Sequence, residues 1–497
     1  MTSPPDGFPQ VLHAEWTKFR TVRGWVTGVI AAALLVVLFA LLAGISSDQK
    51  GAPPVPTAPG GEPVTDSFYL VHRPLTGDGA ITVSVSALTS AIPTGPGELR
   101  PGTVPWAKAG LIIKDGTRQG SPYAAIMVTG GHGVRMQHGY VHDTAGLPGP
   151  VSAASPRWLR LERTGDTITG HASADGARWT RVGAVRVRGL GPAAQAGPFV
   201  ASPPSVHGMS TRGTVSTAVF GDLRVQGSRD GGWTGTQLGP ESPTFAGYPQ
   251  NTAGSFTASG GRLTVTGAGD IAPAVRETLP AGGTVGEILT GTFAALIAVI
   301  VVAALFITTE YRTSLIRLTL TTAPGRVRVL LAKAIVLGAV TFGAGLAGAA
   351  AAIPLGERLA RANGVFIFPV AFSTDLRVAL GVGALLAAAS ILALAAGTIL
   401  RHGAGAVTAV IVAVVLPHIM TAIPFMPASV SNRLARVTPA AAFAVQQTLV
   451  EHHQVASIYK PSNGYYPLAP WAGLAVLAGY AAVSLAVAAV LLRRRDA

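Results

Sequence analysis

The spacing of its long apolar runs constrains this chain most. Trp25 to Ile45 contains no charged residue, and a run of about 21 residues at ~1.5 Å each crosses a bilayer core. The next comparable run begins only near Gly286. Residues 46–285 are therefore expected to hang between two membrane helices. Six spans are predicted: 25–45, 287–308, 331–353, 377–400, 404–423 and 472–492. The first run exceeds the ~7–15 apolar residues of a cleaved signal peptide and is read as a retained helix.

Composition agrees with a membrane protein. Of 497 residues, 49% are hydrophobic and 12% charged, and the mean hydropathy is +0.44. There is no cysteine, so no disulfide braces the polar stretch. The net charge of +14 comes from 6 Lys and 31 Arg against 23 acidic residues; the arginine excess suggests a GC-rich bacterial source. Many of the cations flank the apolar runs, so the lipid bilayer rather than nucleic acid is the expected partner. Lys18, Arg20 and Arg23 precede span one. Arg312, Arg317, Arg326, Arg328 and Lys333 separate spans two and three, Arg401 lies between four and five, and Arg493, Arg494 and Arg495 follow six. With six spans these segments all fall on one side, which the positive-inside rule makes the cytoplasm. Both termini are then cytoplasmic and 46–285 extracytoplasmic, in a bacterial plasma membrane.

Two cytoplasmic segments carry motifs. In residues 1–24, Val11, Leu12, Trp16, Phe19 and Val22 share one helical arc, opposite His13, Thr17, Arg20 and Thr21. This predicts an interfacial elbow helix, although Glu15 interrupts the arc. The loop 309–330 opens with Glu310, Tyr311 and Arg312. Leu315, Ile316, Leu318 and Leu320 follow, then a Pro324-Gly325 break and Arg326. An amphipathic segment, a turn and a basic re-entry lie where a cytoplasmic partner can push them.

Between spans one and two, 46–65 is Pro- and Gly-rich and reads as a linker. Residues 66–226 show short β patterns divided by turn signals such as Asp115-Gly116 and Asp175-Gly176. They predict an all-β sandwich. Residues 227–285 form a β-rich return segment. Trp106, Trp158 and Trp179 fit sugar stacking or, more simply, a core. Asp78, Asp115, Asp166 and Asp175 fit calcium ligation or, more simply, turns. His132, His138 and His142 are read in one loop without a zinc spacing. In the membrane portion His418, beside Pro417, is a candidate pathway residue, and the glycines of span three permit close packing.

The Glu15-Trp16-Thr17-Lys18 box, the Thr309-Glu310-Tyr311-Arg312 box and Pro324-Gly325-Arg326 leading to Lys333 resemble the permease subunits of bacterial ABC transporters of the exporter class. That resemblance covers about half the chain. It implies a six-span permease, paired with itself or a second permease and energised by a separate cytoplasmic ATPase. It also implies that Glu15, Lys18, Glu310, Tyr311, Arg312 and Arg326 carry the ATPase contact. Trp106 to Ile113, Tyr123-Ala124-Ala125, Trp158 to Leu161, and Ala174-Asp175-Gly176 with Trp179 resemble concanavalin A-like (laminin-G-like) jelly-roll domains. Glycan or envelope binding by the outer domain is what that likeness implies.

No G-x-x-x-x-G-K-[ST] phosphate loop occurs. The expectation is therefore a transport permease that is not itself an enzyme, with no metal or other cofactor and with ATP bound on the partner. The alternative reading is a membrane-anchored glycan-binding or envelope-sensing protein that does not transport.

Overall fold

The computed structural model describes residues 7–95, 97–208, 210–227, 231–244, 247–279, 282–313 and 325–494. Leu315, Ile316, Arg317, Leu318, Leu320, Pro324 and Arg495, singled out above, lie outside them. The chain divides into two compact units. One comprises 1–52, 281–450 and 459–497, and the other 53–280 and 451–458.

The first unit is helical, and this is a membrane protein by the length and composition of six of its helices. An N-terminal helix α1 (Phe8–Thr21) is followed by α2 (Arg23–Ser46). After a single turn, α3 (Val285–Ile288), come α4 (Gly291–Arg312), α5 (Arg326–Ala362) and α6 (Phe372–Leu400). Helices α7 (Gly403–Val410) and α8 (Leu416–Ala422) form one span, α9 (Ala428–Val437) is short, and α10 (Pro470–Arg494) ends the unit. The spans are α2, α4, α5, α6, Gly403–Ala422 and α10. All six apolar runs are thus helices long enough to cross a membrane.

The second span is shifted to Gly291–Arg312 and the fourth begins earlier, at Phe372; two others depart further from the sequence reading. Helix α5 has 37 residues and overruns 331–353 at both ends. Hydropathy registers only its apolar centre, while the backbone ladder continues through Arg326–Leu330 and through the Glu357–Arg361 turn, closed by a 3.0 Å ion pair. The fifth span is broken by a π-helical turn at Ile411–Val415. Pro417 has no N–H to donate and its ring crowds the preceding turn, so the ladder widens there.

Close approach holds the bundle together. Helix α5 packs on both α2 and α6. A Cβ added at Gly345 would meet Gly383 Cα of α6 at 2.9 Å, and one at Gly348 would meet Ala33 O of α2 at 3.0 Å. These glycines are packing positions where backbones touch. A buried 3.0 Å hydrogen bond between Thr341 and Ser390 joins α5 to α6.

The second unit is antiparallel β. Its main strands are β1 (Phe68–Thr76), β2 (Gly79–Gly95), β3 (Lys108–Lys114), β4 (Tyr123–Thr129), β5 (Val134–His138), β6 (His142–Ala145) and β7 (Arg157–Thr164). There follow β8 (Thr167–Ser173), β9 (Thr180–Arg186), β10 (Ala193–Ala201), β11 (Val215–Gln226), β12 (Thr234–Leu238), β13 (Ser255–Ser259) and β14 (Arg262–Ala268). One sheet runs β9-β8-β7-β2-β11-β14-β13, with Glu98–Gly102 also paired to β2, and the other runs β12-β1-β10-β3-β4-β5-β6.

The two sheets share one core. Val83, Leu159, Leu161 and Phe220 of the first pack in the same cluster as Val71, Leu111, Ile113 and Ile126 of the second. The second sheet is buried on its other face too, where Ile112, Tyr123, Met127 and Phe199 form a separate cluster. Burial on both faces explains why β3 and β4 read as unbroken apolar runs rather than alternating ones. The stretch read as a linker belongs to this unit from Pro53 onward: Ala58 and Val64 are part of that second cluster, and Val64–Asp66 pairs with Ile271–Pro273. Residues 451–458 also join this unit. Ser457 and the Ile458 amide donate to Glu277 at 2.7 and 3.1 Å, and Gln454 donates to Val141 O at 3.1 Å.

Candidate functional site: a buried ion cluster

In the helical unit, three of the six residues expected to contact an ATPase, Glu15, Lys18 and Glu310, form one ion cluster with a buried lysine. Lys333 is fully buried on the first turns of α5. Its Nζ donates to Glu15 Oε2 at 2.7 Å and to Glu310 Oε1 at 2.6 Å. Lys18 Nζ closes the group, 2.9 Å from Glu15 Oε1 and 3.5 Å from Glu310 Oε1. The Lys333 ammonium also lies 4.6 Å from the centre of the Phe306 ring, a cation–π contact. Two ammonium groups thus face two carboxylates, with no net charge left in a desolvated place.

Local folding explains each position. Glu15, Lys18 and Phe19 share a face of α1 by their i, i+3, i+4 spacing. Phe19 is buried, its ring 6.1 Å from Phe306 of α4. The sequence reading is corrected here: Glu15, taken as a break in the apolar arc, is the most buried residue of α1 at 1% exposed, while Trp16 is 42% exposed. Glu310 lies in the last turn of α4. Burial opposes the charge on Lys18, but Glu310 and Glu15 outweigh it and hold the ammonium above the ordinary lysine value.

The other expected contact residues lie apart from the cluster. Tyr311 sits under Arg401, whose Cζ is 5.2 Å from its ring centre. Arg312 is exposed at the end of α4. Arg326 donates to Leu492 O at 3.0 Å, tying the start of α5 to the end of α10. Sequence reasoning took Lys333 as a basic flank and as the end of the motif that begins at Pro324, and not as a site residue. A lysine set among the apolar residues Val329–Val336 of that helix was the available signal.

His418 is placed far along the helices from this cluster. Its ring stacks on Phe443 at 3.5 Å and 10°, and it lines a cavity of about 410 Å³.

In the β unit the turn aspartates bind protein groups. Asp175 accepts from the amides of Ala177 and Arg178 at 2.9 and 2.8 Å, which holds its carboxyl well below the usual range. Asp78 accepts from Gly165 N, Asp115 from Gly191 N, and Asp166 pairs with Arg186. Trp106 is buried beneath His132 at 4.0 Å, and Trp158 packs against Gly176; Trp179 is half-buried. The histidines do not share one loop: His138 on β5 and His142 on β6 stack at 4.5 Å across a hairpin.

Sequence reasoning missed two buried pairs here. Lys108 meets Asp270 at 2.5 Å, and Lys114 meets Asp66 at 2.7 Å. The Asp66 carboxylate also accepts from Tyr140 and from Gly120 N, at 2.7 and 2.8 Å. Burial lowers Lys114 even so, and burial together with Asp66 raises Tyr140.

No protein-family model matches the chain, and no curated protein does. Solved structures do match part of it. A functionally unknown protein from Saccharomyces cerevisiae is 17% identical, with 33% of this chain covering 77% of that one at a TM-score of 0.19. Scytalido-glutamic peptidase is 10% identical, with 40% covering 98% at 0.24. An alginate lyase from Klebsiella pneumoniae is 14% identical, with 31% covering 61% at 0.20. The expectation that this chain is not an enzyme is corrected on that finding, since structures of a peptidase are among those it matches. At these scores the likeness assigns no activity.

Proposed function

We propose that this chain is the membrane permease subunit of a bacterial ABC exporter. A cytoplasmic ATPase partner would act on α1 and on the segment joining α4 to α5. The observation that carries this reading is the Glu15–Lys333–Glu310 cluster. It ties an interfacial helix to two spans at the point where a partner can push. Displacing α1 drags Glu15, and Glu15 holds Lys333 and through it Glu310. Separating these charges is costly in a desolvated place, so the three helix ends move as one body.

In this reading both termini are cytoplasmic. The β unit is an extracytoplasmic jelly-roll, related to concanavalin A-like domains and inserted between spans one and two. The permease works as a homodimer or beside a second permease.

The test is coupling. The tagged chain is purified in detergent with its co-purifying ATPase subunit and reconstituted. Glu310→Lys and Arg312→Glu are expected to separate ATP turnover from transport. Glu310→Gln, which keeps the Lys333–Glu15 contact, is the milder variant and guards against misfolding. A clean preparation without an ATPase, or unchanged coupling in the double charge reversal, overturns the proposal.

A further inference from the structure

The cavity beside His418 has a composition of its own. It lies within the helical unit, at the opposite end of α4 from the ion cluster. Phe293 and Glu310 are 17 residues apart on that helix, about 25 Å of rise at ~1.5 Å per residue. At about 410 Å³ it falls in the roughly 300–1,000 Å³ range of small-molecule sites.

Its walls are mainly apolar. Phe39 of α2, Phe293 of α4, Ile419 of α8 and Phe443 contribute to them. Phe39 and Ile419 are also 39% and 45% exposed on their spans, so the cavity reaches the surface that meets hydrocarbon. Pro417 and the π-helical turn before it offset α8 from α7, and His418 lies one residue beyond the proline.

Polar side chains interrupt this lining, Thr290, Ser462 and Tyr466 among them, and three bear on what it can hold. Gln446 is 8% exposed, and its Nε2 has no hydrogen-bond partner among the described residues. The Nδ1 of His418 has none either. An unmet buried polar group costs about 1–3 kcal/mol, and two in one cavity, the amide donor of Gln446 and the ring nitrogen of His418, here taken as the acceptor, call for a ligand. Glu287 is the third; its Oε2 accepts from Thr284 N at 3.0 Å.

The chemistry of these groups narrows the ligand. An amide N–H needs an acceptor, which a cation does not supply. The Glu287 carboxylate in the wall repels an anion. A neutral hydroxyl satisfies both open groups, accepting from Gln446 Nε2 and donating to His418 Nδ1. The apolar walls then take the rest of the molecule. We propose that this cavity binds a neutral amphiphile, a hydroxyl group on a long apolar chain, entering from the bilayer. The proposal stands whether or not the chain proves to be a permease.

The experiment uses the full chain in lipid nanodiscs with a photoactivatable derivative of hexadecanol. Parallel probes carry the same photolabel on palmitic acid and on hexadecane. Saturable labelling is expected on peptides holding Phe293, Ile419 or Phe443, competed by unlabelled hexadecanol. Gln446→Leu and His418→Phe should each weaken apparent affinity about tenfold, the effect of one lost hydrogen bond to a buried group. Ala422→Phe keeps both polar groups and fills space, and it should abolish site labelling. It decides the matter if the polar variants fail to fold. Non-saturable labelling spread over lipid-facing residues such as Leu34 and Val483 would overturn the proposal. So would labelling as strong from the hexadecane probe, preference for palmitic acid, or indifference to Ala422→Phe.

Discussion

Lys333→Met tests the ion cluster most sharply, because the charges there can be counted. In the native chain Lys18 and Lys333 balance Glu15 and Glu310. Removing the Lys333 ammonium leaves two carboxylates and one ammonium. Lys18 then sits 2.9 Å from Glu15 and 3.5 Å from Glu310 and must serve both. Stranding a buried charge in this way costs about 3–5 kcal/mol. The contact with the Phe306 ring, 4.6 Å away, is lost as well. Adding Glu15→Gln removes the surplus negative charge and leaves Lys18 with Glu310. The double variant should regain at least ~2 kcal/mol of the loss, since replacing a whole buried pair is far cheaper than breaking it. Stability is read by SDS titration of the folded chain in mixed micelles. Release of α1 is read by protease cleavage after Lys18. If Lys333→Met costs under ~1 kcal/mol, or if the double variant is no more stable than the single, the cluster is not an electrostatic tie and the argument fails.

Three further outcomes follow from the same geometry. Lys18 is held above the ordinary lysine value in the folded state, so its contribution is complete below pH 10.5. Protection of α1 should be flat from pH 7 to 10 and fall only as pH rises through the raised folded value. Burial first, and the neighbouring His142 second, lower His138 to about 4 from 6.5. The unfolded chain therefore takes up that proton first, and the β unit should lose stability as pH falls from 6.5 to 4. Proteolysis of the β unit in the intact chain checks this, and His138→Gln should flatten the dependence. Lys114→Met would leave the Asp66 carboxylate buried without its ammonium. About 3–5 kcal/mol of stability should go with it, read by denaturant unfolding followed through tryptophan fluorescence, while Arg186→Met at the exposed Asp166 pair should leave the unfolding midpoint unchanged.

The residues show where one-dimensional reading reaches and where it stops. Six spans were legible because a bilayer core demands a run of apolar residues and permits few charges within it. The ends of α5 were not, since hydrogen bonding continues past the apolar stretch into Arg326 and Arg361. The charges near the spans indicated a side but not a rotation. Lys333 counts as one more basic flank in the sequence, yet a lysine that meets two carboxylates turns inward. Glu15 was visible as the residue that spoiled an apolar arc. Its reason lies some 300 positions away, on Lys333, and no local pattern encodes a partner so distant. The same holds for the β unit. Tyr123–Thr129 announces itself as a strand, whereas Ala193–Ala201, rich in Ala and interrupted by Gly197-Pro198, does not. A Cβ at Gly197 would collide with Val71 O, so that strand is chosen by how closely its neighbours approach rather than by β propensity. At His418 the sequence supplied the kink and the imidazole together, but Gln446 arrives from another segment of the chain. Only their meeting in one cavity turns two ordinary polar residues into a pair with the same unmet need.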